Sequence, residues 1–423
     1  MLALVLLSAC GPSGIGLASV PERDARDDTA APDDTGAPED PPVVTEETAP
    51  PFDDAASNDW LFALDRVHDI SITLPEASRA SLLAAPYVWA EGDITIDGEA
   101  VPSVGVRLRG KIGSFRALTA KPKFKIAFNE FVEDQRFYGL EELSLNNSVV
   151  DCAYTKEVVG YRVYDALGVK SLRSSYARVT VDGADYGLYV VLETPNDRWL
   201  DRVYDAPDGN LYDGKYVWYG EYNYTLLDFG AGVDTLFQLE EGEDVAHADI
   251  AAVSAALVAH QGTPGFYAAM GEVVDWDAFH RLTAVDQLIG HNDGYSMNTN
   301  NYRVYFDPED GKADLLPWDL DYTFLYDYQW GLSWGAANGN LTYACFADPT
   351  CAAAQRAVVA ELLTTFESTD WVGLLDHVDG LTYAHTQDDP RRECLATDVQ
   401  PNRDYVRAWL AGKPAELRAW WGI

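Results

Sequence analysis

The chain has 423 residues, 47% of them hydrophobic, which is enough for a globular body with a deep core and a cleft. Its formal net charge of −38 at pH 7 argues against a nucleic-acid-binding protein, because phosphates need a basic surface.

The chain begins with an apolar stretch, MLALVLLSAC, that ends at Cys10. This stretch is too short to span a bilayer and is typical of an export signal. Its end, LLSAC, is similar to a bacterial lipobox, in which the cysteine is lipidated and becomes the mature N-terminus. An ordinary secretory signal is the alternative. We expect residues 1–10 to direct export and Cys10 to anchor the protein at the envelope of a bacterial cell.

Acidic residues dominate the next segment, since residues 21–59 hold thirteen acids against two arginines, with many Pro, Ala and Thr. Such a composition cannot bury enough apolar surface to fold, and like charges extend it. We predict that residues 11–59 form a disordered tether.

Alternating and helical patterns begin near Trp60 and predict strands in the first half of the chain and helices in the second. Asp97-Gly98 and Asp182-Gly183 are typical of hairpin turns. The predicted strands lie at 69–74, 93–110, 123–128, 176–194, 301–307 and 312–321, and the predicted helices at 75–85, 151–169, 247–260, 276–292 and in the last eighty residues. This order favours an α+β fold with two lobes, a β-rich half and a helix-rich half, and a cleft between them.

Four cysteines remain after Cys10, an even number that indicates disulfides in an exported protein. Cys345 and Cys351 close a small loop, CFADPTC, and are natural partners; Cys152 and Cys394 then pair by elimination. Metal binding is the alternative, but no C-x-x-C or paired His accompanies them.

An acid is followed by several amides in HNDGYSMNTNN, residues 291–301. Asp293 and Asn298 are five positions apart, the spacing at which protein kinases place the acid that faces the substrate hydroxyl and the amide that holds a metal. A polar turn has the same residue types. His291, just before, is either a base or a core histidine.

A second acidic motif, LLPWDLDYTF, contains Asp319 and Asp321. On an extended chain these side chains share a face, about 7 Å apart. Buried carboxylates need a cation, and Mg²⁺ takes one or two of them with phosphate oxygens. Asn298 and Asp319 therefore predict a Mg²⁺–nucleotide site, whereas turn capping or a structural Ca²⁺ site is the alternative.

Basic residues are concentrated in residues 106–126 of a chain that is otherwise poor in them. Arg107 and Arg109 alternate onto one face, as do Lys121 and Lys123 if that stretch is extended, and such a cluster favours an anion site. A solvated strand face is the alternative. Glu193 closes an apolar strand, as a cap, an ion-pair partner or the partner of a phosphate-binding lysine.

Several segments, in their order and spacing, resemble the CotH (spore coat protein H) kinase family. They are VGVRLRG, KPKFKIAF, YGLEELSLNN, DGADYGLYVVLE, GNLYDG, NDGYSMNTNNYRVYF and LLPWDLDYTF. The resemblance implies an atypical protein-kinase-like fold that binds ATP with Mg²⁺, or else Mn²⁺ or Ca²⁺, and phosphorylates Ser or Thr of secreted, surface or coat proteins. It implies a domain over residues 60–423, with a core at 69–324 and a helical extension at 325–423.

The same resemblance implies a role for each matching residue. Asp293 matches the catalytic acid, and the metal ligands match Asn298, Asp319 and Asp321. The nucleotide-binding group matches Arg107, Arg109, Glu193 and Lys121, with Lys123 as the alternative because Pro122 blurs the register.

Two departures concern nucleotide binding: Lys111-Ile112-Gly113-Ser114 stands where the family has a small polar pair, and Asp213 stands where a Lys is common. The alternative to an enzyme is a non-catalytic surface protein for coat assembly. It would bind Ca²⁺ through the same acids, or carbohydrate through the aromatic residues of DGKYVWYGEYNY, residues 213–224.

Overall fold

A computed structural model describes residues 57–423 except 112, 221–222 and 326–337. The predicted export signal, Cys10 and residues 11–56 of the predicted tether lie outside the described residues. In the described part of the chain, no helix has both the length and the apolar character needed to cross a membrane.

Seven strands close into a barrel, in the order β1-β2-β3-β4-β5-β7-β6. A parallel pairing of β1 with β6 closes it, and the other neighbours are antiparallel. Its core packs alternate side chains of these strands, such as Ile94, Val104 and Leu145. The strands are β1 (Val67–Thr73), β2 (Ala90–Ile96), β3 (Glu99–Arg109), β4 (Lys123–Ala127), β5 (Glu142–Asn146), β6 (Ser174–Val181) and β7 (Ala184–Glu193).

Two tight turns fix the register of the barrel hairpins. Asp97 and Gly98 join β2 to β3 with φ of 49° and 91°, and Asp182 and Gly183 join β6 to β7 with φ of 50° and 76°. Left-handed conformations at both central residues match the twist of the strands, which confirms the two predicted hairpins.

A second sheet has the order β11-β8-β12-β13, and a separate hairpin pairs β9 with β10. Every residue of β12 and β13 is buried, because helices and neighbouring segments cover the strands. The strands are β8 (Asn210–Gly214), β9 (Val217–Gly220), β10 (Asn223–Thr225), β11 (Gln238–Glu241), β12 (Tyr302–Phe306) and β13 (Ala313–Pro317).

The second half of the chain is mostly helical, and the α+β class is confirmed; the division into two lobes stays a prediction. The helices are α1 (Asp59–Phe62), α2 (Glu76–Ala84), α3 (Lys156–Ala166), α4 (Asp197–Val203), α5 (Ala248–His260), α6 (Phe266–Met270), α7 (Trp276–Ile289), α8 (Tyr295–Asn298), α9 (Asn340–Ala347), α10 (Pro349–Ser368), α11 (Trp371–Gln387) and α12 (Ala396–Trp421). The predicted helix over 151–169 begins later, at Lys156, because Asp151 accepts hydrogen bonds from Ala153 N and Lys156 N in a preceding turn.

Helix α7 leads directly into the segment that holds Asp293. Gly290 ends the helix at φ 62°, and a Cβ there would lie 2.6 Å from the ring of Trp409 and 2.7 Å from Leu325 O. Only glycine fits both the left-handed conformation and the space, so the chain turns sharply into residues 291–301.

Both expected disulfides are present, Cys345–Cys351 and Cys152–Cys394. The first closes the start of α10. The second joins residues 242 positions apart and ties the segment before α12 to the segment before α3.

Candidate active site

A cavity of about 550 Å³ lies between the barrel and the second sheet. Six of the predicted site residues line it: Arg107, Arg109, Asp293, Asn298, Asp319 and Asp321. These residues come from β3, from the segment after α7 and from the turn after β13.

Asp293 is held by the amides that follow it. Asn298 donates to one carboxylate oxygen at 2.5 Å, while Asn300 and Asn301 donate to the other at 3.1 Å and 2.8 Å. Burial raises the pKa of Asp293, and the hydrogen bonds from Asn298 and Asn300 oppose that rise. The amide cluster therefore orients an acid whose surroundings make it a better proton acceptor than a free aspartate.

Left-handed backbone conformations concentrate around this acid. Thr299, Asn301 and Asp319 have φ of 45°, 47° and 45°, which is uncommon outside glycine. Such strain persists only where the surrounding structure enforces it, and it is frequent at functional sites.

Lys123, at the start of β4, meets both acids of the turn after β13. Its ammonium lies 3.2 Å from Asp319 and 2.9 Å from Asp321. Burial alone would raise the pKa of Asp319, but Lys123 and Arg109 outweigh it and lower that pKa. Burial and the neighbouring Asp319 charge raise the pKa of Asp321 to about 6.

Lys121 lies apart from this cavity. Its ammonium is fully buried against Asp389 at 2.5 Å and lies over the rings of Tyr154 and Tyr189. β4 begins only at Lys123, so Lys121 does not share its face. The structure therefore places the alternative lysine, Lys123, among the acids.

Arg107 and Arg109 present guanidinium groups to the cavity over tryptophan rings. Arg107 lies 4.7 Å from the centre of the Trp89 ring and Arg109 4.9 Å from that of Trp318. Arg107 Nε and Arg109 Nη1 are buried without a hydrogen-bond partner. Unpaired buried donors are costly, so these two groups suit an anionic ligand.

A family model described as CotH kinase protein matches residues 106–373, more than half of the chain. The chain belongs to the CotH kinase protein family. The matched range includes all the cavity-lining residues of β3, of the segment after α7 and of the turn after β13.

One curated relative is Inner spore coat protein H of Bacillus subtilis (strain 168), 24% identical over 206 residues. The match covers 47% of this chain and 54% of the relative, so the chain spans about half the length of that protein.

Two solved structures of kinase and toxin–antitoxin proteins are more remote. The Helicobacter pylori proinflammatory kinase CtkA is 11% identical with a TM-score of 0.26, over 69% of this chain and 90% of that one. HipA of the Shewanella oneidensis MR-1 toxin–antitoxin system, in complex with HipB and operator DNA, is 13% identical with a TM-score of 0.22, over 69% and 68%. Neither likeness is strong enough to support an argument about this member of the CotH family.

Glu193 does not pair with Lys123. Its carboxylate is bound by Arg173 and Arg202, each through two nitrogens, so it has a structural ion-pair role. A further acid whose pKa responds to the Lys123 charge, besides Asp319 and Asp321, is Glu157 in the first turn of α3.

Glu157 was missed by the sequence reasoning. It is buried, accepts a 2.6 Å hydrogen bond from Asn146, and has its pKa raised to about 8 by burial against the opposing charge of Lys123. A signal existed, because a glutamate inside the apolar face of a predicted helix needs a partner.

Asp213, the departure from the family's common lysine, is neutralised locally. It pairs with Arg303 at 2.7 Å and with Lys215 at 2.8 Å. Arg303 also lies over the face of Trp318, so this tryptophan contacts two guanidiniums. The Asp213 carboxylate is therefore neutralised by two cations that line the same cavity.

His291 is a core residue. It is buried, and its Nδ1 lies 3.2 Å from the Tyr164 hydroxyl and 3.5 Å from Asp286. This contact supports the backbone under Asp293.

The donor set fits a divalent cation and a polyphosphate. Asp319, Asp321 and the Asn298 carboxamide offer the oxygen ligands that Mg²⁺ takes, and Arg107 and Arg109 offer donors to phosphate oxygens. Lys123 occupies the position between the two carboxylates, so it and a cation would compete for them.

Proposed function

We propose that this CotH family member transfers the terminal phosphoryl group of ATP, with Mg²⁺, to Ser or Thr hydroxyls of proteins at the cell surface or in a coat. The observation that supports it is the meeting of Asp293, Asn298, Asp319 and Asp321 at one cavity. Lys123, 198 positions before Asp321, binds the last two of these acids.

Each residue has a role in that reaction. The acceptor hydroxyl oxygen forms a bond to the γ-phosphorus, the bond to the β,γ-bridging oxygen breaks, and ADP leaves. Asp293 takes the hydroxyl proton. Arg107 and Arg109 orient the phosphates, and positioning with charge stabilisation supplies most of the rate.

Asn298, Asp319 and Asp321 would hold the Mg²⁺. A bound divalent cation neutralises the charge that develops on the transferred phosphoryl group. Lys123, released from the two acids, would remain close to the phosphates and to Glu157.

Extracellular placement is part of this proposal. The curated relative is named for the inner spore coat, and the sequence begins with a predicted export signal ending at Cys10. We infer an exported protein held at the envelope by a lipid on Cys10, with a surface or coat protein as substrate.

The alternative of a structural Ca²⁺ site has less support. Lys123 already supplies the counter-charge to Asp319 and Asp321, so the fold does not need a cation there.

The decisive experiment compares the full chain with its Asp293→Ala variant, using [γ-³²P]ATP, Mg²⁺ and casein as acceptor. We expect transfer to fall by about 10²–10⁴-fold, the usual contribution of a general base, while ATP binding persists. Asp310→Ala, in the exposed turn between β12 and β13, is the control. Equal incorporation by the wild-type chain and Asp293→Ala would refute the assignment.

A further inference from the structure

The segment between α11 and α12, residues 388–395, contacts the barrel and the start of α3. We call it the α11–α12 loop. It lies outside the range 106–373 that the CotH family model matches. Three separate contacts connect it with parts of the chain that lead into the cavity.

The first contact is the buried ion pair of Asp389 with Lys121, two residues before Lys123. The same carboxylate accepts from Leu188 N at 3.1 Å and from the Tyr154 hydroxyl at 3.2 Å. A Cβ on Gly187 would lie 2.0 Å from Asp389 Oδ1, so the acid lies directly against the backbone of β7. Asp389 therefore fixes the chain just where it enters β4.

The second contact is the Cys152–Cys394 disulfide, four residues before the first residue of α3. It is supported by Arg403 of α12, which is fully buried and donates to Ala153 O at 3.0 Å. This contact holds the turn from which α3 and Glu157 start.

The third contact holds the chain between β3 and β4. Arg391 donates to Thr119 O at 2.9 Å and also to Ala120 O, and its guanidinium lies 3.5 Å from the centre of the Tyr186 ring. Arg116 and Glu393 form a two-nitrogen ion pair. The loop thus contacts the connection between β3 and β4 at Arg116 and at residues 119–120.

Stability alone does not explain these contacts. A buried Lys–Asp pair loses the hydration of two charges, a cost that apolar side chains of similar size do not have. Such a pair therefore adds little to stability, but it can fix one arrangement of the chain. The Lys121–Asp389 pair fixes the chain just before Pro122, whose φ is itself restricted, and Lys123 follows directly as the first residue of β4.

We propose that the α11–α12 loop is a positioning element for the phosphoryl-transfer site, in which Asp389 and the Cys152–Cys394 disulfide hold Lys123 and Glu157 in place from outside the cavity. The inference rests on the proposed function where it concerns nucleotide binding. The expected hydrogen exchange of β4 and α3 does not depend on that function.

The test uses the full chain and two variants, Asp389→Asn and the double variant Cys152→Ser/Cys394→Ser. Cys345→Ser/Cys351→Ser is the matched control, because it removes a disulfide that has no residue in the loop. For each protein, calorimetry gives the Kd for a non-hydrolysable ATP analogue with Mg²⁺, and hydrogen exchange gives local opening at β4, at α3 and at β12.

We expect the Kd to rise on the order of tenfold in both loop variants and to stay within about twofold in the control. Exchange should accelerate at residues 123–127 and 156–160, and not at 302–306. A merely stabilising role would instead lower the unfolding midpoint without this local pattern.

An unchanged Kd together with unchanged exchange at β4 and α3 in both variants overturns the inference. If Asp389→Asn fails to fold, the disulfide variant decides. If the wild-type chain binds no nucleotide, the proposed function fails, and the exchange pattern alone still decides whether the loop positions β4 and α3.

Discussion

Burial and the neighbouring cations together decide the charge of the acids around Lys123. Asp319 stays ionised beside Lys123 and Arg109, whereas Glu157, deeper in the protein, has its pKa raised to about 8. A neutral Glu157 leaves two cations facing Asp319 and Asp321, so the buried charges balance.

The raised pKa of Glu157 predicts a pH-dependent stability. The folded state keeps a proton between pH 4.5 and 8 that the unfolded state releases, so stability from this group is present below pH 4.5 and lost as pH rises through 8. In Glu157→Gln that loss is absent. Urea unfolding at pH 5, 7 and 9 should show the variant gaining on the wild-type chain by several kcal/mol, at about 1.4 kcal/mol per pKa unit.

Glu193→Gln is the matched comparison, since both changes replace one buried glutamate by the neutral residue of the same size. It weakens the contacts with Arg173 and Arg202 and should cost about 2 kcal/mol of unfolding free energy. Nucleotide affinity should not change, because Glu193 is outside the cavity. A gain with pH in Glu193→Gln equal to that in Glu157→Gln would contradict the special position of Glu157.

The sequence could not decide which of two lysines, Lys121 or Lys123, lies beside the acids of the site. If the chain were extended from Lys121 onward, both lysines would lie on one face. In the structure β4 begins only at Lys123, after Pro122, so the two side chains have different surroundings. The partner of Lys121 is Asp389, 268 positions away, a distance over which no local pattern predicts contact. The motifs and their spacing singled out Asp293, Asn298, Asp319 and Asp321, and the structure places all four at one cavity; their roles there stay a prediction.

At the scale of elements, the hairpin β9–β10 and Tyr216 just before it place aromatic rings beside Asp293. The Tyr224 ring lies 5.0 Å from that of Tyr216 and 4.8 Å from that of Trp218, and the Tyr216 hydroxyl is 3.5 Å from Asp293. All three line the cavity. If Asp293 takes the hydroxyl proton as proposed, rigid rings next to it are suited to contact the acceptor substrate rather than the phosphates.

Trp218→Ala should therefore raise the KM for the acceptor protein on the order of tenfold, the value of about one aromatic contact of 1–1.5 kcal/mol. The KM for ATP should remain within about twofold. Steady-state kinetics with each substrate varied in turn measures both. An increase confined to the KM for ATP would place the hairpin against the nucleotide instead.

Local signals predicted the elements better than their assembly. The Asp-Gly pairs specify the hairpins β2–β3 and β6–β7 locally, because the left-handed conformation is a property of the turn itself. The parallel pairing of β1 with β6 joins segments about a hundred positions apart. That closure depends on packing of the barrel interior, which a single sequence does not encode in any short stretch.

At the scale of the whole molecule, the family model matches a range that starts later and ends later than residues 69–324, where the sequence resembles the family. The family model begins at 106 and extends to 373, into the predicted helical extension. Helices α9 to α12 are part of one large core with α7 and the second sheet. The extension thus completes the body that carries Asp293, while the division of residues 1–59 into signal and tether stays a prediction.

Ligand binding should stabilise this whole body by mass action. A Mg²⁺–ATP analogue at about 100 times its Kd should add roughly 2.7 kcal/mol to the unfolding free energy, visible as a rise of the unfolding midpoint. Asp319→Asn should abolish the rise, because it removes the carboxylate of a proposed metal ligand. Asparagine tolerates the φ of 45° at this position and so keeps the turn. Asp310→Asn should behave as the wild-type chain. A phosphotransferase site gains most of its ligand contacts from the triphosphate. If Ca²⁺ alone stabilised the chain and added nucleotide changed nothing, the result would instead favour a metal-binding coat protein.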